Sequence, residues 1–258
     1  MNILFYLSHP AHFHLFKNLI LSLDNNENSV FVLIKKKDVL EDLLKQRKIK
    51  YSNVMKVERK DNLLSIGLGL IMQDFKVLKF SYHNNIDVII GTSSVVSHVG
   101  FLLRIKSIII AEDDSSSVPL LAFTGYPFAS LIVTPDVCNN GRWEHKSIKY
   151  KGYHELAYLH PRYFKPDKRI VEKYLNYKKP YFIIRFSKLG AHHDKGMGGI
   201  SDEIALKLVK KLLKFGTVVI TSERKIKNKL DKYRLVIDPN HMHHIMAFSS
   251  IYIGDSQT

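Results

Sequence analysis

Residues 1–23 read MNILFYLSHPAHFHLFKNLILSL. Ile3–Leu7 is a short apolar run with the length and composition of a buried strand. Ser8-His-Pro-Ala11 breaks it. From there Phe13, Phe16, Leu19, Ile20 and Leu23 fall at helical spacing. A strand feeding a helix through a short loop opens a β-α-β unit, and this one carries three histidines, His9, His12 and His14, at the junction.

The same alternation recurs downstream. VFVLI (30–34) reads as a strand and residues 39–46 as a helix, followed by a weaker strand near 51–57 and a long helix over about 63–82. Residues 87–90 and 107–111 are strand-like, with a helix over 94–103 between them. A short helix near 118–122 and a strand over 130–134 complete the series. Strands that are apolar throughout, each followed by a helix, belong to a parallel sheet covered on both faces. Ligands of such sheets bind where strand carboxyl ends meet helix amino ends. The loops at His9–His14, Gly91–Ser94 and Glu112–Ser117 therefore share one rim.

Residues 151–167 (KGYHELAYLHPRYFKPD) lose the periodicity and read as a connector. A helix over about 168–175 leads into a second alternation. It has strands at 181–186, 217–221, 234–237 and 251–254, and helices at 200–215 and 241–248. Ser201 is the N-cap of the first of these helices, with Asp202 and Glu203 at its positive start and Gly216 as its stop. The expected organisation is two Rossmann-like parallel-sheet domains, residues 1–165 and 166–258. The second reads as cut short, because its last strand has no covering helix after it.

Bulk properties narrow the function classes. The 258 residues are 45% hydrophobic and 11% aromatic, which are globular values. No run reaches the roughly 18–20 apolar residues of a membrane span, and the start lacks the basic region of a signal peptide. A cytoplasmic location is expected. The single cysteine, Cys138, excludes an internal disulfide and reads as a packing residue. A net charge of +15 suits an anionic partner, either phosphorylated small molecules or the inner face of a membrane. Lysines spread over many segments are equally consistent with solvated helix faces. Nucleic acid is not expected, because the aromatics lie in apolar runs and do not alternate with basic residues.

Several separated motifs, in order, resemble one family. Pro10-Ala-His12-x-His14-x-Phe16 follows the first strand; Tyr150-Lys-Gly152-Tyr-His-Glu155-x-x-Tyr158 and Phe164-Lys-Pro-Asp167 lie in the connector; Tyr181–Arg185 with Ser187, and Ile253-Gly-Asp-Ser-Gln-Thr258, lie in the second half. Together they look like a prokaryotic family of GT-B-like proteins of uncharacterised function. That family is related to the UDP-N-acetylglucosamine 2-epimerases and, more distantly, to the MurG-type glycosyltransferases. The resemblance implies an α/β, GT-B-like fold and a nucleotide-sugar, most simply a UDP-sugar, as substrate with no further cofactor. It implies a glycosyltransferase of surface-polysaccharide or glycoconjugate synthesis, with a lipid-linked or glycan acceptor. The alternatives are a UDP-N-acetylhexosamine 2-epimerase-like enzyme and a non-catalytic sugar-nucleotide binder. In the family the chain runs on past Thr258 into a Glu-Ala helix on the donor side.

The candidate residues follow from rim position and from the resemblance. His12 matches the histidine that opens the first helix in MurG-like enzymes, and is the expected general base. Ser8-His-Pro-Ala replaces the glycines of that loop, so side chains must supply contacts that backbone amides supply elsewhere. His14 is its neighbour in the role, and His9 reads as a structural cap. Among Glu112, Asp113 and Asp114, Asp113 is the expected functional acid. Thr92 and Ser93 either contact the acceptor or cap the next helix, and Glu155 is either a cleft residue or a partner of the nearby tyrosines. On the donor side, Arg185 is the expected phosphate ligand. Ser187, His192, Gly254, Ser256, Gln257 and Thr258 are expected around it. A metal is not expected: His12-x-His14 and His241-x-His243-His244 lack the i, i+4 spacing that puts two ligands on one helix face.

Overall fold

The computed structural model describes residues 1–25, 27–35, 39–55, 63–187 and 199–255. The chain divides into two compact units, Met1–Phe164 and Lys165–Thr258.

The first unit alternates β1 (Asn2–Leu7), α1 (Pro10–Leu23), β2 (Ser29–Lys35), α2 (Leu40–Gln46), β3 (Ser52–Met55), α3 (Leu63–His83), β4 (Val88–Gly91), α4 (Ser94–Leu103), β5 (Lys106–Ile110), α5 (Pro119–Thr124), β6 (Leu131–Pro135), β7 (Ser147–Tyr150) and the short α6 (Leu156–Leu159). The seven strands form one sheet in the order β3-β2-β1-β4-β5-β6-β7. All six pairings are parallel. Side-chain alternation along β1 divides the core. Ile3, Phe5 and Leu7 pack with Phe13, Phe16, Leu40 and Leu43 beneath α1 and α2. Leu4 and Tyr6 pack with Val77, Val95, Val96 and Val99 beneath α3 and α4. The strand is apolar at every position because both its faces are covered.

The strand order reverses around β1 and β4, and the crevice outside such a switch point is where doubly wound sheets bind ligands. Gly91 ends β4 there. A Cβ at this residue would lie 2.9 Å from the Tyr6 carbonyl oxygen and 2.7 Å from Val96, so only glycine permits this approach of the two strand ends.

The second unit contains α7 (Lys168–Glu172), β8 (Tyr181–Phe186), α8 (Asp202–Leu212), β9 (Thr217–Ser222), α9 (Asn228–Asp231), α10 (Met242–Ala247) and β10 (Ile251–Gly254). Its three strands pair in parallel in the order β10-β8-β9. Ser201 caps α8 as expected, its side chain accepting from the Ile204 N–H.

Several elements differ from the sequence reading, among them the short helices α6 and α9, which it lacks. Residues 234–237 do not form a strand; Arg234 makes only an isolated bridge to Ile220. The helix expected over 168–175 ends at Glu172, and Tyr174 and Leu175 turn inward against Tyr181 and Ile183. β7 carries no sequence signal, because Ser-Ile-Lys-Tyr at a half-exposed sheet edge shows no apolar run.

The α3–α4–α5 layer is pinned by His98. Its Nδ1 lies 2.8 Å from Asp74 Oδ2 and its Nε2 2.8 Å from the Thr124 carbonyl. Both partners are acceptors, so both nitrogens donate and the ring is an imidazolium. The Asp74 hydrogen bond, joined by that to Thr124 and opposed by burial, raises the His98 pKa. A raised folded value means that this stabilisation is complete below the unfolded value near 6.5 and fades as pH rises through the folded one. His98→Gln is therefore expected to lower stability by about 1–2 kcal/mol near pH 5.5. The gap should narrow as pH rises through the raised folded value, where the wild type loses the same proton. Urea unfolding followed by the fluorescence of the one tryptophan, Trp143, measures this; a gap independent of pH would disprove it.

Candidate functional site

The rim at the carboxyl ends of β1, β4 and β5 gathers four polar side chains from distant parts of the first unit. His9 is the N-cap of α1, its Nδ1 accepting from the Ala11 N–H, and Pro10 occupies the first helical position where no N–H is needed. This fixes where His12 emerges. His12 Nδ1 accepts from the Ser8 N–H at 3.2 Å. Thr92 Oγ1, just past the end of β4, lies against this ring, 2.9 Å from Nε2 and 3.3 Å from Nδ1. His12 and Thr92 are thereby held in contact at the rim.

Beside this pair lies a second one. His154 Nδ1 donates to Glu112 Oε2 at 3.0 Å. The His154 side chain is nearly enclosed, while Glu112 keeps 43% of its side-chain surface exposed. The hydrogen bond from His154 holds the Glu112 carboxyl below its ordinary pKa against the effect of burial, and the proximity of His12 acts in the same direction. Glu112 is thus ionised at neutral pH, with His12 within electrostatic reach. The imidazole–carboxylate arrangement orients one group by the other.

The residues singled out from the sequence distribute as follows. Thr92 meets His12, as described. Ser93 is the N-cap residue of α4, but its hydroxyl makes no cap bond and is buried without a partner. His14 stacks 5.3 Å from the Tyr158 ring, towards α6. Of the three acids after β5, it is Glu112 that joins the rim pair. Asp114 accepts from the Asn139 N–H, which orders the neighbouring loop. Asp113 is felt by Tyr126, whose hydroxyl is pushed up to about 12 first by burial and then by that charge. Glu155 precedes α6, and its charge reaches Tyr150 and Tyr158. Both tyrosines are pushed up to about 12, chiefly by burial. Cys138 is buried, with its thiol donating to the Glu112 carbonyl.

The sequence reading missed His154 and Lys17. His154 lies within the connector motif that was quoted, one position before the residue selected from it. Lys17 rests 5.8 Å from the centres of the Phe13 and Tyr158 rings. Burial, aided by Arg47, lowers its pKa to about 8. The visible signal was a lysine on the apolar face of α1.

In the second unit the rim of β8 and β10 is organised by Asp255. One of its oxygens accepts from the Ser187 N–H (2.7 Å) and hydroxyl (2.9 Å), and the other accepts from the Ile200 N–H (3.1 Å). Arg185, in register with Gly254, pairs with Glu223. Arg224 stacks 4.5 Å from the Phe186 ring centre and binds Asp202 and the Ile200 carbonyl at the start of α8. His192, Ser256, Gln257 and Thr258 lie outside the described residues. Among the described residues no group of His, Cys, Asp or Glu is arranged to hold a metal ion. Two histidines of the second unit are engaged elsewhere: His241 with the Tyr174 hydroxyl, and His244 with the Asp167 N–H.

Known structures share this architecture. The UDP-N-acetylglucosamine 2-epimerase of Neisseria meningitidis, solved with UDP-N-acetylglucosamine bound, superposes with a TM-score of 0.67 at 14% identity, over 99% of this chain and 78% of its own. The fold is GT-B-like. The 2-epimerase of Methanocaldococcus jannaschii gives a TM-score of 0.69 at 11% identity, over 99% and 79%. The spinosyn rhamnosyltransferase SpnG gives 0.58 at 11%, over 98% and 74%. No family model matches the chain, and no curated protein matches it in sequence. The likeness is one of GT-B-like fold.

Proposed function

We propose that the chain is a sugar-nucleotide-dependent glycosyltransferase acting in surface-polysaccharide or glycoconjugate synthesis. The observation that carries this reading is the ionised Glu112, oriented by His154 and set beside the His12–Thr92 pair at the sheet's switch point. In the reaction an acceptor hydroxyl attacks the anomeric carbon of a UDP-sugar. The bond from that carbon to the diphosphate breaks, and Glu112 takes the hydroxyl proton. Thr92, held against His12, donates a hydrogen bond from its hydroxyl to the acceptor and holds it in line. Arg185 turns from Glu223 to the diphosphate, and Ser187 and Gly254 line the same donor side; His192, Ser256, Gln257 and Thr258 are donor candidates on the family resemblance alone. His14, Asp113 and Glu155 surround the acceptor, and Ser93, its hydroxyl buried, supports the start of α4 behind them. No cofactor beyond the nucleotide-sugar takes part. The acceptor is lipid-linked or glycan, and the enzyme works in the cytoplasm at the inner face of the membrane.

A second reading draws support from the same carboxylate. Glu112 suits removal of a proton from a sugar carbon, and two of the GT-B-like structures named above are 2-epimerases. Incubation with UDP-N-acetylglucosamine separates the readings. UDP released only when an acceptor is added is the result expected of a transferase. Epimerised sugar without acceptor would overturn transfer in favour of epimerisation. Absence of any nucleotide-sugar binding by calorimetry would leave neither enzyme standing and point to a scaffold.

A further inference from the structure

We propose that the outer face of the α3–α4–α5 layer docks on an anionic lipid surface. The two helical layers of the first unit differ sharply. On the outer side of α3, α4 and α5, Ile71, Phe75, Phe101, Leu102, Leu120 and Phe123 are each 60–67% exposed. Among the described residues of α1 and α2, the exposed large hydrophobics are Leu19 and Leu21.

The apolar residues occupy neighbouring elements. α3 packs on α4, and α4 and α5 both pack on the short helical turn Tyr126–Phe128. Phe101 meets Phe128 edge-on at 5.2 Å. His98 joins all three helices through Asp74 and Thr124, holding them as one platform. Large apolar faces of this kind on a folded unit mark contact with another phase or chain.

Charge selects the occupant. Asp74 is the only acidic residue in α3, α4 and α5, and it is bonded to His98. The cations Lys79, Arg104, Lys106 and Arg142 are exposed on or beside the layer. The Arg142 guanidinium lies 5.1 Å from the Phe123 ring and 4.7 Å from the Trp143 ring, coupling charge to aromatic surface. An apolar and aromatic surface with basic residues around it matches the boundary of an anionic bilayer, where rings enter the headgroup region and Lys and Arg meet phosphate. A second copy of this chain fits less well, because the same cations and the net charge of +15 would oppose each other across the contact. Among the described residues no helix is long and apolar enough to cross a membrane, so the contact is peripheral. It rests on the membrane-face location proposed above and names the surface that makes the contact, while vesicle binding and turnover are measured separately, so that failure of one is distinguishable from failure of the other.

Sedimentation of the full chain with vesicles tests it. Phosphatidylcholine containing one third phosphatidylglycerol is expected to bind the chain, and pure phosphatidylcholine to bind it far less. Raising salt from about 0.1 to 0.5 M should weaken the binding. Phe101→Ser combined with Phe123→Ser should reduce partition by about tenfold or more at an unchanged Tm. Should that pair lower Tm, Ile71→Ser with Leu120→Ser gives the same reading on separate helices. Leu21→Ser, on the other layer, should leave partition unchanged. Binding that ignores anionic lipid, or that falls equally with Leu21→Ser, would overturn the proposal. So would a dimer in light scattering that the Phe101/Phe123 substitutions dissociate, which would assign the face to a second copy.

Discussion

Glu112→Gln is expected to lower kcat by about 10²- to 10⁴-fold, the usual contribution of a positioned general base, while leaving UDP affinity within a few fold. The substitution keeps the shape of the side chain, and the amide oxygen can still accept from His154 Nδ1, so the rim keeps its form. What is lost is the capacity to take a proton. A separate substitution at His154 tests the pairing. The His154 hydrogen bond holds the Glu112 carboxyl below its ordinary pKa. Without it that pKa rises, so the acidic limb of the kcat/KM profile should move to higher pH in His154→Leu. A residue that merely filled space would leave the limb in place. His12→Ala, which removes the ring that Thr92 rests against, should abolish transfer while changing donor affinity only a few fold. Steady-state kinetics on the full chain, with UDP release as the signal, decides all three. Unaltered turnover in Glu112→Gln would remove the base from the mechanism, and unaltered turnover in His12→Ala would remove the acceptor clamp.

The chain shows which parts of such a site a sequence reveals. The first strand and helix are legible because burial on both faces forces an unbroken apolar run, and burial on one face forces the 3.6-residue spacing of Phe13, Phe16 and Ile20. The loop between them is then legible by position, and His12 with it. The edge strand β7 is not, since a strand with a solvated face and one neighbour needs little apolar content. The pairing of Glu112 with His154 is hidden for a different reason. Forty-two positions separate the two residues, and their meeting depends on the path of the segment after β7, which carries no periodic signal. The His12 ring is held by one backbone N–H, that of Ser8, and no spacing rule anticipates it. Of the three adjacent acids after β5 the sequence reading favours Asp113, whereas it is Glu112 that meets an imidazole at the rim. Their roles separate only through their partners: Asn139 for Asp114, His154 for Glu112.

Asp255→Ala is expected to have the largest effect in the second unit. The Asp255 carboxylate accepts three hydrogen bonds, two from Ser187 and one from Ile200. These residues stand on either side of segment 188–198, so a single side chain at the end of β10 ties down both its flanks. Alanine removes every acceptor at once and leaves two backbone amides and a hydroxyl to find water. At about 1 kcal/mol or more for each such loss, local stability should fall by about 2–4 kcal/mol. Because Trp143, the only tryptophan, lies in the first unit, its fluorescence is a poor reporter here. Hydrogen exchange at the Ser187 and Ile200 amides reads the change directly, and faster exchange by about 30-fold or more at both is the expected result. Asp255→Asn retains one carbonyl oxygen and turns an amide N–H₂ towards a donor, so it should lie between alanine and wild type. If the donor phosphate sits on this rim as proposed, UDP affinity falls in the same order. Unchanged protection in Asp255→Ala would show that the carboxylate does not hold these flanks. Lost protection with full UDP affinity would confine Asp255 to architecture and move the donor site elsewhere.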